Sequence, residues 1–546
     1  AENSLGNFIS NYESLSYDSN LIHNRTKRHL HSETVDSLHI DFNAYGKQFN
    51  LRLTPDVNSV FSNNIIIENA FGERSEVDLT GVYTGFLNGH PHTSKVFGSV
   101  LDGVFEGKIE TPNGTFYIDR ANKYFNDDDS RGFHSVIYSS DDVDFEPSND
   151  SGSSNIAKIQ QWMNRLSTAA VIRKQMNNNK RRKRTLLSSH TSSQANSTND
   201  KIVTTNIATL RKRVCSMYIQ TDTYLWEHIR NSVSSDSKAR KEIASLVAQH
   251  IKAVNNIYEN VDFRGIRGIK FSVLRLKIND SSACSEINKT RNPFCSPNID
   301  LYNFLELGSQ FNHDDFCLAY IFTYRDFAAG KMGQSWTATT TGVSGGICEK
   351  YKIYAKKVNG SIIQTKLSLN TGVITFVNYN STIPPKVSEL VFANQIGHNL
   401  GSPNDYPLEC RLGGSAGNFL MNSFASSGKR KNNYKLSPCS IRNISSVLHA
   451  VINSDGKHNC LQEDDGPFCG NNIVEEGEDC DCGFDAQECE DHCCNPRINA
   501  ENVKGCTLRT GAQCATSQGA CCSETCTFES KYRLCNPETE CAFESF

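Results

Sequence analysis

Residues 384–405 read PPKVSELVFANQIGHNLGSPND. Pro384 and Pro385 suit the start of a helix, where a missing N–H costs nothing. Val387, Leu390, Val391, Asn394 and His398 then fall on one face at helical spacing. Gly397 leaves room for close packing, and Gly401 is placed to end the helix in a left-handed turn. The spacing therefore predicts one helix from the prolines to about Gly401, with polar groups among its inward-facing residues.

Those polar groups stand at the spacing of a zinc-protease helix, HExxHxxGxxHD, in which two histidines one turn apart and a third beyond a glycine turn hold the metal. Here the frame reads NQIGHNLGSPND. Asn394 stands at the first histidine position, Gln395 at the general-base glutamate and Asn404 at the third histidine, so His398 alone remains. A Met-turn candidate follows at Met421 in GNFLMNSF. The run VFANQIGHNLGSPNDYPLEC is similar to the active-site segment of the ADAM (disintegrin and metalloprotease) family, and most like its Kuzbanian or alpha-secretase branch. The resemblance implies a multidomain chain: a β-rich propeptide, an α/β metzincin (reprolysin-like) domain and a disulfide-rich disintegrin domain.

Composition fits that order. A chain of 546 residues suits three to four domains. Its net charge of -4 gives no footprint for nucleic acid. The first 214 residues hold no cysteine, whereas thirteen of the 21 crowd into the last 78. That usage points to the oxidising secretory pathway and an extracellular or cell-surface location. No run of roughly 18 apolar residues marks a membrane span, so any anchor lies outside this sequence. No leader is present, and Ala1 is expected to follow a removed one.

Residues 1–184 are read as the propeptide. Leu38, Ile40 and Phe42 alternate with polar residues, as do Phe49, Leu51 and Leu53, and GTFYIDR after a turn at Pro112 to Gly114 gives a further strand. LHIDFNAYGKQFNLRL and GSVLDGVFEGKIETPNGTFYI resemble the family's prodomain. Lys180, Arg181, Arg182, Lys183 and Arg184 form a proprotein-convertase site, with a second at Arg25, Thr26, Lys27 and Arg28. Residues 185–207 have the composition of a linker. A propeptide without cysteine cannot hold a zinc enzyme latent through a metal-bound thiolate. It can nevertheless stay associated after the cut.

Residues 208–462 are assigned to the metalloprotease-like domain. VCSMYIQTD, KFSVLRLKI, FCLAYIFT and GVITFVNY are of strand length and composition, and Ile243, Leu246, Val247, Val254 and Ile257 recur at helical spacing. NHDDFCLAYIFTYRDF and SGGICEKYKIY extend the resemblance. It implies the disulfides Cys215–Cys317, Cys348–Cys460 and Cys410–Cys439, leaving Cys284–Cys295 as an added local bridge.

Residues 463–546 open with CGNNIVEEGEDCDCG, the way disintegrin domains begin; such domains offset a small core with disulfides and calcium. Asn471, Glu475, Glu478 and Asp481 supply oxygen ligands for a calcium ion. No Arg-Gly-Asp lies between Cys526 and Cys541, so integrin binding has no support, and Cys541 is expected to pair with a following cysteine-rich domain. Candidate glycosylation sequons are Asn24, Asn113, Asn149, Asn196, Asn279, Asn288, Asn359, Asn380 and Asn443.

The chemistry at the helix decides the functional expectation. A catalytic zinc needs three good protein ligands, and one imidazole cannot supply a binding energy of roughly 10 kcal/mol or more. Gln395 cannot take a proton from water, and loss of a general base alone costs about 10² to 10⁴ in rate. The sequence thus leads to the expectation of a catalytically inactive pseudoprotease, without zinc, that binds extracellular or cell-surface proteins or competes for an active relative's substrates. The alternative is a zinc-dependent metalloendopeptidase of the membrane-protein sheddase type.

Overall fold

The computed structural model describes residues 7–29, 37–125, 132–145, 212–285, 292–340, 345–358, 361–405, 410, 415–423, 425–463, 469–470, 472–475, 477–499 and 503–530. The convertase run ending at Arg184, the linker, and the sequons Asn149, Asn196, Asn288 and Asn359 lie outside them, as does Asn471.

The N-terminal part runs β1 (Glu13–Leu15), α1 (Ser19–His29), β2 (Leu38–Ala44), β3 (Lys47–Pro55), β4 (Phe61–Glu68), β5 (Val82–Leu87), β6 (Lys95–Leu101), β7 (Val104–Thr111), β8 (Gly114–Arg120) and β9 (Ser135–Ser139). All but β4 form one sheet, in the order β1-β9-β8-β7-β6-β5-β3-β2, with antiparallel pairing throughout. The alternation in β2 works as the period-two rule requires: Leu38, Ile40, Phe42 and Ala44 are buried and the residues between them exposed. Its hairpin to β3 turns through Tyr45 and Gly46, both at positive φ (52° and 65°), the backbone a two-residue hairpin demands.

The central part runs β10 (Lys212–Thr221), α2 (Thr223–Ser232), α3 (Asp236–Tyr258), β11 (Lys270–Ile278), α4 (Leu301–Ser309), β12 (Leu318–Thr323), β13 (Gly333–Ser335), β14 (Lys352–Val358), β15 (Ser361–Leu367), β16 (Thr371–Thr375), β17 (Val377–Asn378), β18 (Ser381–Thr382), α5 (Pro385–Asn399), α6 (Pro438–Ile452) and β19 (Gln462–Glu463). Its sheet has the order β13-β16-β12-β10-β11-β4, with β19 pairing β10. Strands β4, β11, β10, β12 and β16 are parallel, and β13 closes one end antiparallel. Both faces are covered, so every residue of β12 is buried. Tyr320 and Phe322 point into a core shared with α3 and α5, while Ile321 packs with Leu301, Phe304 and Leu305 of α4.

The propeptide does not stand apart from this domain. Strand β4 leaves its own sheet and pairs with β11 through Val273↔Phe61, Arg275↔Ile66, Leu276↔Ile67 and Lys277↔Glu68. Val60, Phe61, Ile67, Val82, Tyr117 and Tyr138 enter the same core as Phe271, Val273 and the inner residues of α3. Of β8, Phe116 and Ile118 face the propeptide's own core, and Tyr117 faces the neighbour. The segment read from sequence as a separate domain therefore supplies one strand of the next domain's sheet.

Disulfides join Cys215–Cys317, Cys284–Cys295, Cys348–Cys460 and Cys410–Cys439 in the central domain. The C-terminal part has little regular structure, and its core is Cys480, Cys482, Cys493, Cys494 and Ala515. It is stapled by Cys469–Cys506, Cys480–Cys494, Cys482–Cys489, Cys493–Cys526 and Cys514–Cys522. It docks through Arg267, which donates to Glu488 at 2.7 Å, and through Arg497, which donates to Asn260 at 2.9 Å.

Phe61→Ala tests the shared sheet. Removing a fully buried phenylalanine is expected to cost about 3 to 5 kcal/mol and to expose the amides of β11 to hydrogen exchange. If β4 belonged to the propeptide alone, β11 would keep its protection.

Candidate active site

Helix α5 forms the floor of the site. Pro384 precedes it and Pro385 is its first residue. It is buried almost throughout, with twelve of its residues inside, so each of its polar side chains needs a partner from another element. Gly397 is where the helix meets Met421: a Cβ there would lie 2.3 Å from the Met421 sulfur and 2.9 Å from the Tyr258 hydroxyl. Gly401 turns the chain at φ +107°, against Val447, and the Ser402 N–H then bonds back to the Gly397 carbonyl of the helix at 2.9 Å.

Asn394 is half-buried, and both ends of its amide are engaged. Its Nδ2 donates to the Leu420 carbonyl at 3.0 Å and lies 3.9 Å from the sulfur of Met421. Its Oδ1 accepts from Gln395 Nε2 at 3.1 Å. Gln395 sits beneath the edge strand, where the Ser335 hydroxyl donates toward its carbonyl and its Oε1 at 2.9 and 3.0 Å. The three contacts fix both amide orientations, because a flip of either would set donor against donor or acceptor against acceptor.

His398 Nδ1 lies 2.7 Å from the Ser402 carbonyl. A carbonyl only accepts, so Nδ1 carries the proton and Nε2 keeps its lone pair. Burial lowers the pKa of this ring, which keeps it neutral. Asn404 is buried, and its Nδ2 has no hydrogen-bond partner among the described residues. Asp405 accepts from Ser437 and Ser440 at 2.5 and 2.9 Å, and burial raises its carboxyl pKa.

This donor set does not fit a conventional catalytic zinc. His398 Nε2 is a good ligand atom in the right tautomer. Asn394 Oδ1 is already held by Gln395, Gln395 Oε1 by Ser335, and carboxamide oxygens are weak zinc donors in any case. Among the described residues, no cluster of three His, Cys, Asp or Glu side chains includes His398.

The remaining candidates fall at several places. In the disintegrin segment the Glu475 N–H donates to Glu478 at 3.0 Å, and Asp481 accepts from the N–H groups of Gly470 and Gly483 at 2.8 and 2.9 Å. Burial raises the Glu478 carboxyl, and Asp481 and Glu475 add to that. Asn24, Asn113 and Asn380 are exposed and Asn443 is half-buried. Asn279 must be withdrawn as a glycosylation site, because it is 6% exposed and its Nδ2 donates to the Thr221 carbonyl at 2.8 Å. Arg28 falls in the last turn of α1, so a protease that needs an extended chain must first unwind that turn. Sequence reasoning missed Ser335, Leu420 and Ser402 as partners of the site. Nothing in GQS, FLM or GSP signals the pairing, which comes from the fold.

A twisted parallel sheet closed by an antiparallel edge strand, lying over a helix that ends at a glycine turn above a buried methionine, defines a metzincin-type metallopeptidase fold. A family model described as metallo-peptidase family M12B, reprolysin-like, matches residues 240–450. Disintegrin and metalloproteinase domain-containing protein 10 of Bos taurus is 39% identical over 554 residues, spanning 99% of this chain and 68% of that protein. The Mus musculus protein of the same name is 40% identical over 552 residues, with the same coverage. The Caenorhabditis elegans homolog is 37% identical over 582 residues, covering 99% of this chain and 62% of that protein. The chain belongs to the disintegrin and metalloproteinase family, and its relatives here are of the Kuzbanian-like branch.

That membership corrects the functional expectation drawn from the sequence. Relatives named as metalloproteinases match nearly the full chain, and the metallopeptidase family model matches its central part. Neither gives any sign of a partner-binding pseudoprotease, and the metalloendopeptidase alternative fits them better.

The hydrogen-bond chain from Ser335 through Gln395 to Asn394 makes Gln395→Glu alone a damaging change. A carboxylate cannot donate to Asn394 Oδ1, and an acceptor left unpaired costs about 1 to 3 kcal/mol. Urea unfolding of the variant should show a loss of that size; an unchanged midpoint would mean that Gln395 does not hold Asn394.

Proposed function

We propose that this chain is a metalloendopeptidase of the extracellular or cell-surface type that takes extended polypeptide along the edge strand β13, which packs on α5. Its membership of a family of named metalloproteinases, matched along 99% of its length, carries that reading. Strand β13 ends its sheet antiparallel to β16, and an edge strand of that kind recognises extended peptide by main-chain hydrogen bonding. Helix α5 and Met421 supply the floor beneath.

The centre itself sets the limit on rate. Because Asn394, His398 and Asn404 do not fit a tightly held zinc, no step of hydrolysis is drawn through a metal. The carboxamides of Asn394, Gln395 and Asn404 neither take nor give a proton near neutral pH, and His398 is the one titratable side chain among the four. Zinc is therefore held weakly in the cleft, and turnover is slow. Calcium belongs instead to the disintegrin segment, where a divalent cation relieves the repulsion among Glu475, Glu478 and Asp481. Glycans at the exposed sequons Asn24, Asn113 and Asn380 fit the secretory setting that the disulfides require.

The experiment is digestion of an unbiased peptide library by the full chain with added zinc, alongside the triple variant Asn394→His, Gln395→Glu, Asn404→His. The variant is expected to carry close to one zinc per chain by elemental analysis. It should cleave at least about 10²-fold faster than the parent, the usual worth of a general base. A parent that leaves the library intact, beside a zinc-loaded variant that cleaves it, would overturn the enzyme reading for the natural chain.

A further inference from the structure

The seat of the propeptide holds buried carboxyl groups on both sides of the boundary, of which Glu106 and Glu389 are two. Glu106, on β7 of the propeptide, is 4% exposed and Glu389, on α5, 5% exposed. Glu106 pairs with Lys123 and lies 3.7 Å from Arg120. Across the boundary, Glu242 of α3 faces the same two cations at 3.7 and 3.8 Å. Glu389 accepts from the Tyr117 hydroxyl of β8 at 3.3 Å, with Lys108, Glu110, Asp119 and Tyr434 around it. On the same helix Lys386 donates to the Ser140 carbonyl of the propeptide. Farther along the boundary Lys252 donates to Asp56 at 3.1 Å and Lys241 to Asp78 at 2.8 Å. With the pairing of β4 on β11 and the common core, all of these contacts are noncovalent. None uses the chain between residues 145 and 212.

We propose that the propeptide remains on this seat as a separate subunit after that chain is cut, and that protonation of Glu106 and Glu389 governs when it leaves. Burial in the assembled state disfavours the charged carboxylate and favours the protonated acid, whereas release returns the group to water, where the charged form is stable.

Burial, the largest influence, raises the Glu389 carboxyl to about 7, against the opposing pull of Lys108. Burial also raises Glu106; Lys123 and Arg120 oppose this, and Glu242 and Asp119 add to it. For a group raised in the bound state, the contribution to holding is full at acid pH and is lost as pH climbs through the raised value. The other groups do not cancel this between pH 6 and 8. Burial would raise Glu242, but Arg120 and Lys123 hold it low, so it is ionised throughout that range. Lys386, lowered by burial to about 8, changes only near the top of the range. His228, lowered to about 4 by burial and then by Lys123, stacks on Tyr324 of its own domain at 3.6 Å and keeps that cover when the propeptide leaves.

The test uses the full chain cut by a basic-site protease, with the cut verified by mass and propeptide release followed at pH 6, 7 and 8. The pieces should stay together at pH 6, and Glu389 alone should weaken their affinity about tenfold by pH 8. Glu389→Gln, which mimics the protonated group, should remove that tenfold, and Glu106→Gln should flatten the remaining dependence. Immediate separation at pH 6, or wild-type affinity that does not change with pH, would overturn the proposal; the wild-type series decides even if a variant fails to fold. No peptide cleavage is read, so failure here is distinct from failure of the metalloendopeptidase reading.

Discussion

A helix with almost no solvent face has to find a partner for every polar side chain it carries, and α5 is such a helix. Ser388 meets His250 of α3 at 2.9 Å, and Glu389 meets Tyr117 of the propeptide. Gln395 meets Ser335 of the edge strand, and Asn394 meets the Leu420 carbonyl beside the methionine. Asn399 donates to the Trp336 carbonyl at 2.9 Å. Each of these would cost about 1 to 3 kcal/mol if left unpaired. Helix α5 is thus the junction at which propeptide, sheet edge and methionine loop are brought into register.

The same requirement shapes the chemistry of the cleft. Asn394 and Gln395 are joined to each other, so neither position can be changed as though the other were absent. Substituting one removes a partner from its neighbour as well as changing its own donor capacity, and couplings of this kind are where additivity fails. His398 stands outside that chain of bonds, held through Nδ1 by Ser402. Its tautomer leaves the lone pair on Nε2, whereas Asn394 and Gln395 are bonded to each other.

Much of this was legible in the sequence because it is local. The helix from Pro385, the turn at Gly401, the alternation in β2 and β3 and the amphipathic run of α3 all rest on periods and on backbone preferences that a short window contains. What escaped is long-range. FSNNIIIE has the look of any strand, and nothing within it says that β4 will pair with β11 some two hundred residues later. Asn279 reads as an acceptor for a glycan, yet its burial against Thr221 is a property of the packed sheet. Ser335 lies 60 residues from Gln395, and no spacing rule reaches that far.

Fold and catalysis draw on very different numbers of residues. An identity of 39% over 554 residues registers the many positions that fill cores, close disulfides and turn the chain, and those positions fix the class of protein. A hydrolytic centre depends on three or four side chains, whose weight in that figure is negligible. Gly397 and Gly401, the buried Met421 and the edge strand β13 all contribute to the packing around α5. Asn394 and Gln395 are positions at which carboxamides satisfy the packing, by bonding to each other, to the Leu420 carbonyl and to Ser335. Membership of the family and the unusual donor set are therefore compatible, because the first rests on the many positions that pack the fold and the second on a few side chains that the identity figure barely weighs.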